Sequence, residues 1–546
     1  MSTAQTAYDR VPYPSQSYRC THPDRLATIA TLQGLAPPPV ERCRVLELGC
    51  ASGGNLIPMA YNLPDSTFTG IDVSSRQIAD GQAVVRALAL PNVHLEWMDI
   101  LDVTPDLGQY DYILAHGVYS WVPADVQEAL IAVCRHNLAP NGVAYVSYNT
   151  YPGWHTMGVL RDMMRFYTRG LDDPRERVAK ARDLLDSLEQ IVPRTDDGYA
   201  RCVHDCAQFL QSDLKGPRSL SDAFMLHDEL YEINEPISFH QFAERAAGHG
   251  LQYLGEADFC SMMGSQLAPE LLRRLNAMSS TVVELEQYMD FARNQMFRKT
   301  LLCHEGWRLS RELHPDRLKR LHVSAHAQLV GEAQEIRSPH VSRFQGADGA
   351  ILRTGHPLTK AAMVYLARRW PQAVPFGELL SGAHALLNEG DPASCPETPG
   401  GAEGTREEAA ADAQILATNL LEAYSHSTAL IELHVHVPQM ALKAGERPQA
   451  SRVARLQAKH SDRVTNLRHE RVQLDGAHRH LLNYLDGKHD RAAIVERLAA
   501  GPVADGTLTF QGHTRPIQDP RRVRALLAAG LETRLDNLAS MALLTA

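Results

Sequence analysis

A turn built from small residues is the clearest chemical signal in this sequence. The apolar run Arg44–Leu48 leads into Gly49-Cys50-Ala51-Ser52-Gly53-Gly54-Asn55, and a helix is predicted to follow. Such a turn lets a ligand lie against bare backbone, and the start of the helix offers it unpaired N–H groups. A dinucleotide needs glycine where its pyrophosphate touches the chain, but that position holds Ala51. Glu47 would also repel a pyrophosphate and attract a cation. The pattern predicts a cationic, nucleotide-like ligand, with a ligand-free tight turn as the alternative.

Polar residues also follow the later predicted strands. Three strand ends carry them, at Asp72-Val73 after Ser66–Ile71, at Asp99-Ile100 after Val93–Met98, and at His116 after Tyr110–Ala115. Because parallel strands end at one edge of a sheet, we expect these side chains to meet there. The two acceptor oxygens of Asp72 suit a ribose diol. An isolated Asp after a strand is usually a helix N-cap, but polar residues at consecutive strand ends favour a ligand site.

The turn E-x-G-C-x-x-G-G-N resembles motif I of the class I S-adenosylmethionine (SAM) methyltransferases. Over about residues 1–305 the chain is similar to bacterial methyltransferases with a methyltransferase regulatory domain, a group that includes protein-lysine methyltransferases acting on bacterial surface proteins. The stretches that carry this resemblance are Tyr8–Leu35, Glu47–Asn55, His116–Pro123, Tyr148–Trp154, His227–Leu230, Asn234–Pro236, His249–Ala257, Asp290-Phe291 with Asn294, and Phe297-Arg298 with Thr300–Leu302.

The resemblance implies that SAM is the cofactor. In the family, the acid at Asp99 receives the adenine amino group and its apolar neighbour, Ile100, packs on the purine. The expected SAM-binding residues are Tyr18, Glu47, Gly49, Cys50, Ser52, Gly53, Asn55, Asp72, Val73, Asp99, Ile100 and His116. Tyr18 belongs to the segment Tyr8–Tyr18, which is predicted to form an ordered arm over the cofactor, with Tyr13 and Tyr18 as lid residues.

Methyl transfer from a sulfonium is an in-line displacement, so the enzyme mainly aligns the nucleophile with the methyl group in a dry pocket. A lysine acceptor must be neutral to attack, and an apolar pocket lowers its pKa, so no general base is demanded. The expected catalytic residues are His116, Tyr119, Tyr148, Asn149 and Trp154. Core packing is the alternative for the aromatic ones. Asn149 lies in no Asn-Pro-Pro-Tyr type motif, which leaves the acceptor atom open.

The predicted function is N-methylation of protein lysine side chains by SAM. Two alternatives stay open, a small-molecule methyltransferase and a catalytically inactive SAM-binding regulator. The methyl acceptor is accordingly a protein or a small molecule.

Strands alternating with helices predict an α/β fold, a doubly wound, Rossmann-like sheet of seven strands. The predicted organisation has a methyltransferase domain at 1–305, with a helical insertion at about 155–250 and a regulatory-like region at about 214–300. A linker at 306–340, a winged-helix-like domain at 341–445 and a C-terminal winged-helix-like α+β domain at 446–546 follow. Residues 388–408, rich in Gly, Pro, Glu and Ala, are predicted to form a flexible loop.

Composition limits the partners. The 546 residues carry a net charge of −10, and the predicted helix 411–424 has no Lys or Arg, so no nucleic-acid partner is expected. A homodimer through the C-terminal domain is possible instead. No stretch of about 18 apolar residues occurs, so no membrane insertion is expected.

Nine cysteines without framework spacing suit a reducing compartment, and we predict a cytoplasmic protein. The helical stretch Cys202–Cys206 lacks a second ligand pair, so no metal is expected.

Overall fold

The computed structural model describes residues 7–191, 197–215, 222–331, 336–388, 404–508 and 519–546. Most of the predicted flexible loop at 388–408 lies outside these residues. No helix within the described ranges is long and apolar enough to cross a membrane. The same ranges contain no cluster of three or more side chains suited to holding a metal ion.

A seven-stranded sheet forms the main body, with the strand order β3-β2-β1-β4-β5-β7-β6. Its strands are β1 Arg44–Leu48, β2 Thr67–Asp72, β3 Val93–Trp97, β4 Tyr110–Ala115, β5 Leu138–Asn149, β6 Leu251–Glu256 and β7 Phe297–His304. The pairs from β3 to β5 are parallel, whereas β7 runs antiparallel to both β5 and β6. The predicted seven-stranded doubly wound sheet, completed by two strands after the insertion, is confirmed.

The central strands are apolar along their length because helices cover both faces of the sheet. All six residues of β4 are buried. The longer helices are α1 Pro23–Leu32, α2 Leu56–Asn62, α3 Ser75–Leu88, α4 Ala124–His136, α5 Gly153–Tyr167, α6 Pro174–Ile191, α7 Gly198–Lys215, α8 Phe239–Gly248, α9 Pro269–Met278, α10 Val282–Arg293, α11 Pro357–Arg369, α12 Phe376–Asn388, α13 Gly404–His426, α14 Arg452–Ala458, α15 Gly476–Leu482, α16 Arg491–Leu498 and α17 Pro520–Ser540. Parallel strands covered in this way leave their carboxyl ends as the open edge where a ligand can bind.

The helical insertion is shorter than predicted. Helices α5, α6 and α7 pack around their own apolar cluster, which includes Leu160, Leu185 and Leu210. Helix α8 instead buries Phe242 and Ala246 in the core beneath the main sheet. The insertion therefore ends near residue 231 and not near residue 250, because the apolar face of α8 belongs to the sheet.

The predicted linker at 306–340 is also wrong. Strand β8 His322–Ser324 is the middle strand of a three-stranded sheet, between β12 Val374–Pro375 and β13 Glu432–His434. Strand β9 Gln328–Val330 pairs with a hairpin of the predicted winged-helix-like domain at 341–445, called the middle unit from here on. Residues from about 315 onward thus belong to the middle unit, whose sheets cannot form without them.

The middle unit contains a hairpin. Its strands are β10 Ser342–Gln345 and β11 Ile351–Thr354, which pair antiparallel around the turn at 346–350. The C-terminal domain has a separate core and a second hairpin, β14 Arg463–Thr465 with β15 Arg471–Gln473. The five residues between β14 and β15, 466–470, form the wing loop.

Candidate active site

One large cavity opens at the carboxyl ends of β1, β2, β4 and β5. Its volume is about 1210 Å³, and three parts of the chain line it. The sheet edge forms its floor, the segment Tyr8–Tyr18 crosses it, and side chains of the helical insertion close the far wall. The predicted arm thus lies where the sequence placed it, and both lid candidates, Tyr13 and Tyr18, face the cavity.

The glycine turn adopts a conformation that only small residues permit. Gly49 has φ of +73°, and a Cβ there would lie 2.5 Å from Val118 Cγ2. A Cβ on Gly54 would lie 2.5 Å from the backbone of Ser15 in the arm. The backbone N–H of Gly54 instead donates to Ser15 Oγ at 2.7 Å. Glycine at both positions lets the turn, strand end and arm approach one another closely.

Asp72 organises this turn. Its Oδ2 accepts the backbone N–H of Ala51 at 2.8 Å, and its Oδ1 accepts that of Ser74 at 2.8 Å. Burial raises the pKa of Asp72, while the two N–H groups oppose the rise. Each oxygen keeps a further lone pair, so the carboxylate can hold the loop and two ribose hydroxyls together.

Glu47 is the most unusual carboxylate of the site. It is 4 % exposed, and its Oε1 accepts Asn55 Nδ2 at 2.7 Å. Its Oε2 is buried and has no hydrogen-bond partner in the described part of the chain. Burial raises the pKa of Glu47 to about 8, and the nearby charge of Asp72 adds to the rise. A buried oxygen without a partner is costly, so this position fits a cationic ligand group.

Of the twelve predicted cofactor residues, ten line the cavity. Val73, Asp99 and Ile100 form one end of it, and Asp99 also caps a short 3-10 turn by accepting the N–H of Leu101 at 3.0 Å. The two exceptions are Ser52 and Gly53. They shape the turn from behind, because the backbone of Ser52 packs against Gly81 of α3, and Gly53 faces Leu95 and Ile57.

His116 lies beneath the arm. Its ring centroid is 3.9 Å from that of Tyr18, and its Nδ1 is 2.8 Å from Tyr145 Oη and 3.3 Å from Ser147 Oγ. These contacts fix the imidazole against the cavity wall.

The structure separates the predicted catalytic residues into two groups. Asn149 and Trp154 line the cavity, as His116 does. Tyr148 is 1 % exposed, stacks on Phe242 and bonds to Thr300 through its hydroxyl. Tyr119 is fully buried, and its hydroxyl accepts a hydrogen bond from Arg245 at 3.0 Å. Neither tyrosine lines the cavity, and both pack in the core, so the prediction that they are catalytic does not fit their positions.

Several cavity residues were not predicted from the sequence. Most come from the arm and the insertion, and they are Tyr8, Ser15, Gln16, Phe209, Leu210, Phe224, His227, Asp228, Glu229 and Tyr231. Tyr8 stacks on His227 with 4.6 Å between centroids, and His227 Nε2 is 2.7 Å from the carbonyl oxygen of Val11. The sequence signals near them were the predicted arm Tyr8–Tyr18 and the His227–Leu230 stretch of the family resemblance. Neither assigned these side chains to the site, since no strand pattern places an insertion over a sheet.

Comparisons with known proteins agree with this architecture. Family models match residues 46–144 (a methyltransferase domain), 221–304 (a predicted methyltransferase regulatory domain) and 446–543 (a PKMT C-terminal winged helix domain). The uncharacterised protein RP789 of Rickettsia prowazekii is 32% identical over 98% of this chain and 93% of its own length. The structure of PKMT2 from Rickettsia typhi in complex with AdoHcy has a TM-score of 0.84 and 27% identity, over 98% of this chain and 100% of that one.

The chain belongs to the class I SAM-dependent methyltransferases that carry a methyltransferase regulatory domain. The predicted cofactor, SAM, and the predicted C-terminal winged helix are confirmed with it. The cavity of this methyltransferase fits SAM on its own geometry. Asp72 would hold the ribose, Asp99 with Ile100 the adenine, and the unpartnered Oε2 of Glu47 the cationic methionine end.

We expect SAM binding to release a proton from Glu47 near neutral pH. Its raised pKa, about 8, keeps it mostly protonated at pH 7 in the free enzyme, and a bound cation favours the ionised form. Titration calorimetry at pH 7, in buffers of different ionisation enthalpy, should count up to about one proton released. Affinity for SAM should rise as the pH increases from about 6 to about 8, because fewer protons must then be displaced.

The variant Glu47→Gln cannot ionise and serves as the control. It should bind SAM more weakly and without this proton release, at every pH tested. Equal proton release by the variant and the natural enzyme would show that another group titrates.

Proposed function

We propose that this methyltransferase transfers the methyl group of SAM to lysine side chains of proteins. The observation that carries the proposal is the charge of the cavity. Among its described lining residues are one lysine, Lys299, and six acidic side chains, namely Glu47, which ionises when a cation binds, and Asp72, Asp99, Asp125, Asp228 and Glu229. Lys299 Nζ already donates to Asp258 at 2.8 Å. Such a lining favours cationic ligands, first the donor and then an ammonium-bearing acceptor.

Aromatic rings line much of the cavity. They come from the arm, the segment after β4 and the insertion, and they are Tyr8, Tyr13, Trp121, Trp154, Phe224 and Tyr231. Ring faces attract a cation and also exclude water from it. A lysine that arrives as an ammonium would be attracted by the carboxylates and then desolvated by the rings, which lowers its pKa. It would release its proton to water and attack as the neutral amine. When bound, SAM supplies the activated methyl group.

The size and rim of the cavity support a protein acceptor. Its volume of about 1210 Å³ leaves room for an acceptor side chain beside the cofactor. Two of its lining residues are exposed to solvent, Phe209 of the insertion, which is 49 % exposed, and Asp125 at the start of α4. The name PKMT attaches to the Rickettsia typhi neighbour and to the winged-helix family model, and we extend it to this chain.

A small anionic acceptor is disfavoured by the same charges. Trans-aconitate 2-methyltransferase of Deinococcus radiodurans is 31% identical to this chain, over 22% of this chain and 43% of that protein. A tricarboxylate acceptor requires cations around it, whereas six acidic side chains line this cavity.

Transfer of tritium from methyl-labelled SAM into a lysate of the source cells tests the proposal. We expect label in protein, recovered as methyl-lysine after acid hydrolysis. Label in small molecules would refute it, as would label in protein recovered only on other residue types. Asp72→Ala enzyme, which should not bind SAM, provides the background.

Asn149 is the residue we expect to orient the acceptor. Its Nδ2 donates to Asn234 Oδ1 at 2.8 Å, which fixes the amide, and its Oδ1 accepts no hydrogen bond within the described residues. We expect this oxygen to accept an N–H of the attacking amine and direct its lone pair at the methyl group. Asn149→Ala should lower kcat roughly 10- to 100-fold with the Kd for SAM changed less than about twofold.

Asn141→Ala is the matched control, since Asn141 lies near the other end of the same strand, β5. It should leave both constants unchanged. A loss of SAM affinity in Asn149→Ala that equals its loss of kcat would assign Asn149 to the cofactor instead.

A further inference from the structure

The C-terminal domain reaches the cofactor turn through its wing loop. His469, at the tip of that loop, has its Nε2 at 2.9 Å from Oδ1 of Asn55. Both side chains are buried, with exposed fractions of 1 % and 3 %. Asn55 lies at the end of the glycine turn and lines the cavity. A residue of the last domain therefore contacts the cofactor turn, 414 positions away in the sequence.

The direction of this hydrogen bond follows from its neighbours. The backbone N–H of Tyr18 donates to the same Oδ1 of Asn55 at 3.0 Å, which identifies that atom as the acceptor. His469 Nε2 must then carry the proton and donate it. Burial lowers the pKa of His469 well below its usual value, so the ring stays neutral and keeps this single donor near pH 7.

The amide nitrogen of Asn55 contacts the cofactor site. Asn55 Nδ2 donates to Glu47 Oε1 at 2.7 Å and to Thr21 Oγ1 at 2.9 Å. The N–H of His469 thus orients the Asn55 amide, which in turn orients the Glu47 carboxyl. The second oxygen of Glu47, Oε2, is the buried oxygen that has no partner in the described chain.

The backbone of the wing loop has an unusual conformation at His469, the residue that contacts Asn55. His469 has φ of +61°, in the left-handed region that non-glycine residues seldom occupy. Asn466 supports it, since its Oδ1 accepts the N–H groups of Arg468 at 2.9 Å and Glu470 at 2.8 Å. Strained backbone of this kind persists where the surroundings fix it, often at functional sites.

Ion pairs fasten the wing loop to the arm and to the middle unit. Arg19, next to Tyr18 in the arm, pairs with Glu432 of β13 at 2.8 Å and with Glu470 of the wing loop at 3.3 Å. Arg468 also pairs with Glu432. Ser17 and Thr465 share a hydroxyl hydrogen bond at 3.2 Å. The wing loop is thus held in place beside the cofactor turn by two other parts of the chain.

We propose that His469 is a positioning residue for SAM, and that the C-terminal winged-helix domain completes the cofactor site through it. His469 acts through Asn55 and Glu47 and does not itself line the cavity. The inference depends on SAM as the cofactor and is independent of whether the acceptor is lysine.

Substitutions at His469 test the inference by SAM calorimetry and steady-state kinetics. His469→Gly removes the donor but suits the backbone, and should raise both Kd and KM for SAM about five- to tenfold. At saturating SAM its kcat should stay within about twofold. His469→Gln has an amide N–H that can reach Asn55, and should restore Kd to within about twofold of the natural enzyme. His469→Asn tolerates the left-handed backbone but is too short to reach, and should match His469→Gly.

His478→Ala is the control for general damage to the C-terminal domain. His478 is buried in α15 and pairs with Asp475 at 2.9 Å. Its loss should lower the melting temperature and leave the Kd for SAM unchanged. Three results would overturn the inference: unchanged SAM affinity in both His469→Gly and His469→Asn, equal weakening in His469→Gln, or a similar weakening in His478→Ala.

Discussion

Replacing Asp72 with alanine should weaken SAM binding at least a hundredfold while the protein stays folded. The carboxylate holds the N–H groups of Ala51 and Ser74, both at 2.8 Å, and we assign its remaining lone pairs to the ribose. Hydrogen bonds to a charged group contribute about 1.5–3 kcal/mol each, so losing the two to the ribose already predicts a factor of this size. The turn would also lose the acceptor that holds Ala51 at φ of +50°.

Titration calorimetry measures the affinity, and circular dichroism with thermal melting reports the fold. Asp65→Ala is the matched control, because Asp65 is exposed and lies just before β2, whereas Asp72 ends that strand. It should bind SAM like the natural enzyme. An Asp72→Ala protein with unchanged affinity would refute the ribose assignment, and one that fails to fold would show that Asp72 is chiefly structural.

The sheet and most of its polar edge were predictable from the sequence. Apolar runs of strand length alternate with helical patterns, and each of β1 to β4 ends at, or one residue before, a residue that lines the cavity. Glu47, Asp72, Asp99 and His116 were found in this way. The parallel topology alone brings such residues together, so no knowledge of distant contacts was needed.

Strand alternation could have corrected one expectation. Tyr148 and Asn149 are neighbours in β5, and adjacent residues of a strand point to opposite faces. Asn149 lines the cavity, so Tyr148 faces the core against Phe242. Tyr119 gave no such signal, because it lies in a short 3-10 turn where the pattern does not fix direction.

Very short strands account for the mistaken linker. Strands β8 and β9 have three residues each, too few for an alternating pattern to stand out. The end of the insertion was misplaced because α7 and α8 are both amphipathic, and the sequence does not tell which apolar surface each helix covers. Contacts such as His469 with Asn55 join residues far apart in the chain, and local patterns carry no information about them.

The largest loss of stability is expected from removing a buried arginine near the sheet edge. Arg298, on β7, is 4 % exposed and pairs with Glu256 at 2.8 Å, Glu286 at 3.0 Å and Asp290 at 2.8 Å. Its side chain also lies over the ring of Phe239, 3.8 Å from the centroid. Arg298→Met would leave three buried carboxylates without this cation. Breaking a buried ion pair by removing one partner costs about 3–5 kcal/mol, and we expect a loss of at least that size.

The loss of stability in Arg298→Met should become larger as the pH rises. Burial raises the pKa of Glu286 to about 7 and that of Asp290 to about 6, above the values of 4.5 and 3.8 that the groups ordinarily have. Their protonated forms are therefore favoured in the folded state, and the stability they contribute is lost as the pH rises through about 4 to 7. Without Arg298 both pKa values should rise further. The deficit of Arg298→Met should consequently be larger at pH 8 than at pH 5.5.

Chemical denaturation at the two pH values measures this difference. The matched control is Arg274→Met, which removes an arginine that is 74% exposed and lies 3.1 Å from Glu270. Exposed pairs contribute about 0–1 kcal/mol, so the control should be nearly neutral at both pH values. If Arg298→Met were as stable as the control, the three acids would have to be neutral or solvated in the folded enzyme. The arginine would then fill space beside Phe239 without balancing charge, and a methionine could replace it.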